Sequence, residues 1–290
     1  MFTGALIAIV TPFRNGQVDE RAFGDLIEWQ IANGTSGIVP CGTTGESATL
    51  SHQEHHRVVE LTVEVVNRRV PVIAGTGSNS TTEAVSLTKH AKQAGADGAL
   101  LITPYYNKPT QEGLYRHYKM IAESVELPQV LYNIPGRTGV NMLPATVARL
   151  CGLPNIVGIK EGSGSVQQAS DIANMCGDRM TVLAGDDALT LPMMAVGGKG
   201  VISVTSNIVP SEMAQLVKAF VTGRIDEARR IHFALSPLFT ALFYETNPIP
   251  VKTALGMMGK IDPELRLPLC AMATETKDQL TRVLKDAGLI

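Results

Sequence analysis

The sequence predicts a (β/α)8 TIM barrel with a C-terminal helical appendix. Two observations carry that expectation: eight short apolar runs alternate with longer amphipathic segments, and the β signal stops after residue 210. The length agrees, since a single barrel takes about 250 residues and the chain has 290. A chain of this size buries a large core without staples.

The strand-like runs are ALIAIVTPF (5–13), GIVPCG (37–42), PVIAGTG (71–77), GALLITPYY (98–106), QVLYNIP (129–135), IVGIKEG (156–162), TVLAGDD (181–187) and GVISVTSN (200–207). They are continuously apolar rather than alternating, as strands covered on both faces are. Segment 20–34 carries apolar residues at helical spacing and ends on Asn-Gly, a stop signal. Segment 51–66 opens on Ser51 with Glu54 three residues on, a capping box. Segment 80–95 opens on hydroxyl residues and closes on Gly95. Beyond residue 210 the chain reads as helices at 211–223, 225–243, 249–259 and 273–287. The first completes the barrel, which gives a catalytic barrel domain over 1–224 and a helical region over 225–290. An open doubly wound sheet usually has fewer strands and often carries GxGxxG in its first turn. The sequence contains neither that motif nor a Walker A loop.

Lys plus Arg number 25 and Asp plus Glu 27, a net charge of −2 without runs of one sign. That balance offers no track for nucleic acid, and a small anionic substrate must be met by local positive groups. Cys41, Cys151, Cys176 and Cys270 are far apart and form no CxxC pair. This argues against a zinc site and a disulfide framework and suits a reducing cytoplasm. The N-terminal apolar run ends at Thr-Pro-Phe after about eight positions, too short to cross a membrane. It lacks the basic region of a signal peptide and reads as the first barrel strand.

Barrel chemistry sits where strands end. In the sixth run Ile156, Gly158 and Lys160 share one face by alternation. A lysine facing the lumen is costly unless paired or deprotonated, and desolvation frees the amine as a nucleophile. A lysine salt-bridged to a neighbouring carboxylate is equally open from position alone. Tyr132, ending the fifth run, falls near Lys160 and could shuttle protons; a packed core tyrosine is the plain alternative. Arg137, between glycines in a loop, could clamp a carboxylate or be an ordinary surface arginine. Gly42-Thr43-Thr44-Gly45-Glu46-Ser47 could aim backbone N–H groups at an anion, or be a plain turn. His52, His55 and His56 lie on one helix, and His52 shares a face with one of the other two. HQEHH is not HExxH and no third ligand follows, so a polar helix face is preferred over a metal site.

Taken together, GTTGE (42–46), YNIP (132–135) and GIKEG (158–162) resemble signatures of the pyruvate-dependent class I aldolases, the dihydrodipicolinate synthase/N-acetylneuraminate lyase family. Thr-Pro-Phe (11–13), Pro-Tyr-Tyr-Asn (104–107), Gly-Val-Ile-Ser (200–203) and Asn-Pro-Ile-Pro-Val-Lys (247–252) match as well, so the resemblance spans the chain. It implies a TIM barrel in which Lys160 forms a Schiff base with pyruvate. It also implies that Tyr132, Thr43 and Tyr106 relay protons, Tyr106 being lent across a dimer interface. Thr44 would help Thr43 hold pyruvate's carboxylate, and the carbonyls of Gly185 and Ile202 would line the pocket. YNIPGRTG resembles the branch of the family that condenses pyruvate with L-aspartate 4-semialdehyde, on the way to diaminopimelate and lysine, with Arg137 on the aldehyde's carboxylate. No cofactor or metal is implied. Ser47, Ala48, His52, His55, Asn79, Glu83 and Tyr105 match positions that bind lysine as a feedback inhibitor. A homotetramer, a dimer of dimers, is the usual assembly. Gly162 departs from the Ala, Ser, Thr or Cys usual after the Lys-Glu pair.

Three other readings bear on the same residues. A sialic-acid or sugar-acid lyase would keep the imine and change the aldehyde partner. A flavin- or phosphate-binding barrel would need an anion nest late in the chain, for which GGKG (197–200) is a faint candidate. An effector-binding protein on an enzyme fold would have no turnover.

Overall fold

The structure is a computed structural model that describes residues 2–290. Eight parallel strands form its centre: β1 (Gly4–Ala8), β2 (Gly37–Val39), β3 (Ile73–Gly75), β4 (Gly98–Ile102), β5 (Gln129–Asn133), β6 (Ile156–Glu161), β7 (Thr181–Ala184) and β8 (Gly200–Ser203). They pair in the order β2-β1-β8-β7-β6-β5-β4-β3. A parallel bridge between Ile38 and Val72 joins β2 to β3 and closes the barrel. The long first run yields only the short β1, and Phe13–Arg14 pairs separately with Gln17–Val18 in a hairpin over the strand ends.

Helices α1 (Glu20–Ala32), α2 (His52–Val66), α3 (Thr81–Ala94), α4 (Gln111–Ser124), α5 (Pro144–Leu150), α6 (Val166–Cys176), α7 (Thr190–Ala195) and α8 (Pro210–Val221) each follow one strand. The capping box read at Ser51 and Glu54 is formed in full. Gly95 caps α3 in the left-handed conformation that favours glycine. Three further helices, α9 (Ile225–Ala241), α10 (Ile249–Met257) and α11 (Thr274–Asp286), pack outside the ring. None of the helices is long and apolar enough to cross a membrane.

Two apolar clusters result. One fills the space between strands and helices, and a smaller one fills the lumen with Leu6, Ala8, Val39, Ile73, Leu100, Val130, Tyr132, Leu183 and Ile202. The lumen is thus a packed plug, and polar groups find room only where the strands end.

The structure corrects two expectations. Ile156 does not share a face with Gly158 and Lys160. The β5–β6 register jumps from Gln129↔Ile156 to Val130↔Gly158. The extra residue turns Val157 toward the lumen and Ile156 into the outer core, as a bulge does. GGKG is no phosphate nest at the barrel mouth, because it leads into the N-terminal end of β8. Gly200 has φ +144°, and a Cβ there would lie 2.0 Å from the carbonyl oxygen of Gly4. These glycines serve the close approach of β8 to β1.

His117 on α4 is buried; its Nδ1 shares a hydrogen bond with the Thr81 hydroxyl at 2.9 Å and its Nε2 has no partner. Burial pulls its pKa from 6.5 down to about 4. The unfolded chain therefore binds a proton on His117 that the folded chain refuses. Its contribution to stability is complete above pH 6.5 and is lost as the pH falls toward 4. Urea unfolding from pH 7 to 4 is expected to show stability falling by up to about 3 kcal/mol more in the parent than in His117→Gln. Parallel pH curves for the two proteins would refute this.

Candidate active site

Lys160 is carried by β6 and faces into the barrel near its C-terminal end, with 4 % of its surface exposed. Its Cα pairs across the sheet with Tyr132 on β5 and Leu183 on β7. The amine lies 4.4 Å from the centre of the Tyr132 ring. Among the described residues it makes no ion pair. The other deeply buried lysine, Lys252 on α10, pairs instead with Glu46 at 2.6 Å. Burial draws the Lys252 ammonium below the usual lysine range, against the opposing pull of Glu46. The salt-bridged alternative weighed for Lys160 thus describes Lys252.

On the outer side of β6, Glu161 is fully enclosed by neutral donors. It accepts from Asn133 Nδ2 at 3.1 Å, Gln168 Nε2 at 3.1 Å and the Ser163 N–H at 2.6 Å. Asn133 also binds Asn141 at 2.7 Å and receives the Met142 N–H at 2.9 Å. This amide cage ties the end of β5, carrying Tyr132, to the end of β6, carrying Lys160. Satisfied buried networks of this kind rigidify what they join. Gly162 adds to the tie by donating its N–H to the Asn133 carbonyl at 2.8 Å. A Cβ at Gly162 would stand 3.0 Å from that carbonyl and 3.6 Å from the Tyr132 ring, which explains why glycine sits well here.

A cavity of about 40 Å3 lies over the amine, and its walls include Thr43, Thr44, Tyr132, Arg137, Lys160, Gly185, Val204 and Asn247. Thr44 is buried and its hydroxyl accepts from Asn247 Nδ2 at 3.0 Å. Among the described residues the Thr43 and Thr44 N–H groups find no acceptor within the chain, although Gly45, Glu46 and Ser47 N–H groups fold back onto Gly42 and Thr43. The turn therefore presents two free donors. Arg137 sits not in an irregular loop but on a single helical turn, Pro135–Thr138, since Pro135 starts the turn with its fixed φ. Its side chain is exposed along the cavity wall and donates Nη2 to the Asn247 carbonyl at 3.0 Å. Ile202 belongs to the lumen plug below the cavity, opposite Leu6.

A larger cavity of about 510 Å3 shares the walls Thr43, Tyr132, Arg137 and Asn247 and extends over Ser47, Ala48, His52, His55, Glu83 and Tyr105. His52 Nε2 meets Glu83 Oε1 at 2.9 Å, and the Ser78 hydroxyl donates to the other oxygen. Ser78 chiefly, with help from His52 and against the effect of burial, holds the Glu83 carboxyl below its usual range. His55 does not join that polar face: it turns inward onto the Gly75 carbonyl at 2.8 Å, and burial lowers its pKa. His56 instead stacks on His90 at 3.7 Å. Asn79 reaches the Tyr105 carbonyl at 3.3 Å. Tyr106 belongs to neither cavity: it stands 90 % exposed on a backbone with φ +74°.

The reading of the sequence gave no role to Asn247, Asp187 or Lys252. Asn247 braces both Thr44 and Arg137. Asp187 is buried beyond β7 and accepts from the Val204 and Thr205 N–H groups and the Thr205 hydroxyl, while burial raises its pKa. The only sequence signals were an Asn-Pro step before a helix and a carboxylate just past a strand, neither of which names a partner.

A profile of the Dihydrodipicolinate synthetase family matches residues 1–287. The chain is 61 % identical over 290 residues to the 4-hydroxy-tetrahydrodipicolinate synthase of Thermodesulfovibrio yellowstonii, with both chains covered in full. It superposes with TM-score 0.98 at 49 % identity, over the whole of both chains, on the chloride-inhibited dihydrodipicolinate synthase of Acinetobacter baumannii complexed with pyruvate. It also superposes with TM-score 0.96 at 41 % identity on the DHDPS of Cyanidioschyzon merolae with lysine bound, covering 100 % of this chain and 99 % of that one. The order of motifs, the barrel with its unpaired lysine and these full-length matches agree: the chain belongs to the dihydrodipicolinate synthetase family.

Proposed function

We propose that this protein is a lyase of the 4-hydroxy-tetrahydrodipicolinate synthase type, condensing pyruvate with L-aspartate 4-semialdehyde through a Schiff base on Lys160. The observation that carries the reading is the buried, unpaired amine of Lys160 beside the Tyr132 ring at the end of β6. An uncharged amine attacks the C2 ketone of pyruvate and loses water to give an imine. The imine is an electron sink, so a methyl proton leaves and an enamine forms. The enamine carbon bonds to the aldehyde carbon, whose oxygen takes up a proton, and water then hydrolyses the re-formed imine, releasing the keto adduct and regenerating the Lys160 amine.

The other residues fall into roles around that step. Thr43 and Thr44 offer the free N–H donors for pyruvate's carboxylate. Tyr132 and Thr43 move protons at the imine, and the Gly185 and Ile202 carbonyls line the pocket. Arg137, aimed along the cavity wall by Asn247, takes the carboxylate of the aldehyde partner. A sugar-acid substrate would need hydroxyl-binding groups in place of this clamp. Tyr106 reaches the relay of a neighbouring subunit rather than its own. Its ring stands 90 % exposed, free to meet a second copy of the chain. In keeping with the family resemblance the assembly is a homo-oligomer, a tetramer built as a dimer of dimers, and the scattered free cysteines suit a cytoplasmic setting. The outer cavity takes lysine as feedback inhibitor, with Glu83 on its ammonium and Ser47, Ala48, His52, His55, Asn79 and Tyr105 around it. The Cyanidioschyzon merolae relative with lysine bound supports that reading.

Three measurements test these assignments. Borohydride reduction in the presence of pyruvate, followed by peptide mapping, is expected to mark Lys160 alone; an adduct on Lys252 or none at all would overturn the scheme. Arg137→Ala is expected to lower kcat/KM for aspartate semialdehyde by about a hundredfold while trapping on Lys160 continues undiminished. Calorimetry with millimolar lysine is expected to show binding that Glu83→Ala removes; no heat with the parent protein would withdraw the effector site.

A further inference from the structure

We propose that the buried pair Glu46–Lys252 is a positioning device through which the helices after the barrel hold the pyruvate-binding turn. The proposal rests on the reading that Thr43 and Thr44 receive pyruvate's carboxylate.

The turn after β2 closes on itself through backbone bonds from Gly45, Glu46 and Ser47, and the side chain of Glu46 anchors it to the rest of the molecule. Glu46 occupies the left-handed region with φ +52°, a conformation that a residue with a Cβ keeps only when its surroundings enforce it. The enforcing groups come from far along the chain. Lys252 Nζ donates to Glu46 Oε1 at 2.6 Å and to the Thr11 carbonyl at 3.0 Å. The Arg266 backbone N–H donates to Glu46 Oε2 at 3.2 Å, and its guanidinium donates to the Thr49 carbonyl at 3.0 Å. The Lys252 amine and the Arg266 guanidinium both sit against the Phe13 ring, at 4.3 and 4.2 Å from its centre. The Thr11 hydroxyl in turn holds the Gly45 carbonyl at 2.7 Å.

These contacts fall on the carboxylate-binding turn and Thr49 just beyond it, or on the Thr11–Phe13 segment that itself holds Gly45. None touches the amine of Lys160 or the tip of Arg137. The pair therefore controls where the two free N–H donors stand and leaves the nucleophile and the aldehyde clamp alone. Its loss should be felt as weakened pyruvate capture. A purely structural pair would lower the melting temperature and the active fraction without moving the concentration of pyruvate needed.

The test uses the full-length enzyme and four proteins: parent, Glu46→Gln, Lys252→Met and the double variant. Each is read by KM for both substrates, by pyruvate-dependent borohydride trapping on Lys160 and by melting temperature. Lys252→Met is expected to raise the KM and half-trapping concentration for pyruvate about tenfold, with the KM for the aldehyde within about twofold. Glu46→Gln, which retains a side-chain acceptor for Lys252, is expected to raise the pyruvate KM by about threefold. In the double variant the brace is absent altogether, so the pyruvate KM is expected to stay raised by about tenfold, as in Lys252→Met, rather than by the product of the two single effects. An unchanged pyruvate KM in both single variants, whatever their melting temperatures, overturns the proposal. So does an equal rise for both substrates, or a double variant whose pyruvate KM returns to that of the parent. Should Lys252→Met not fold, Glu46→Gln decides by the same criterion. Failure of the parent to trap pyruvate on Lys160 would instead remove the reading of the active site, and this one with it.

Discussion

An amine without a counter-ion, set at the end of a barrel strand, is the constraint around which this molecule is organised. Water solvates an ammonium well and a packed lumen does not. The strands below Lys160 are plugged by aliphatic side chains, and the carboxylate next to it in sequence points the opposite way, into an amide cage. Alternation along β6 thus separates two groups that would otherwise neutralise each other. The barrel keeps its nucleophile unpaired by placing the nearest acid behind the wall.

The surroundings of that amine are held by polar contacts from distant segments. The Glu161 cage joins β5 to β6, Asp187 joins the ends of β7 and β8, and Asn247 spans Thr44 and Arg137. The two carboxylates saturate backbone, amide and hydroxyl donors at strand ends, where the ladder of the sheet has stopped supplying partners, and Asn247 uses its side chain on Thr44 and its backbone carbonyl on Arg137. The mouth of the barrel is in this sense a second structure laid over the first. The strands set directions, and the buried polar side chains set distances.

Local patterns in the sequence reach the first of these structures and not the second. The eight strands and the Ser51 capping box follow from hydrophobic runs and turn chemistry, which are local. The lumenal position of Lys160 was legible because period two is a local rule. The same rule failed at Ile156, where one inserted residue shifts the register with β5, since a bulge is a property of two strands. Lys252 illustrates the limit: in a helix of apolar residues it reads as a surface lysine, and only folding brings it to Glu46, 206 residues away. His55 was mistaken for the same reason, because helical spacing locates a face but not what that face meets.

The contacts that close the mouth have an implication for how the protein comes into being. Lys252 binds Thr11 across 241 positions, and Arg266 binds Gly16 across 250. These partners are made far apart in time, since synthesis runs from the N-terminal side. A nascent chain can lay down strands in sequence as neighbours emerge, but the turn after β2 lacks these braces until the segment carrying Lys252 and Arg266 has been made. A barrel made without the segment from Lys252 to Arg266 would keep the Lys160 amine at its mouth and lose the outer frame around the turn after β2.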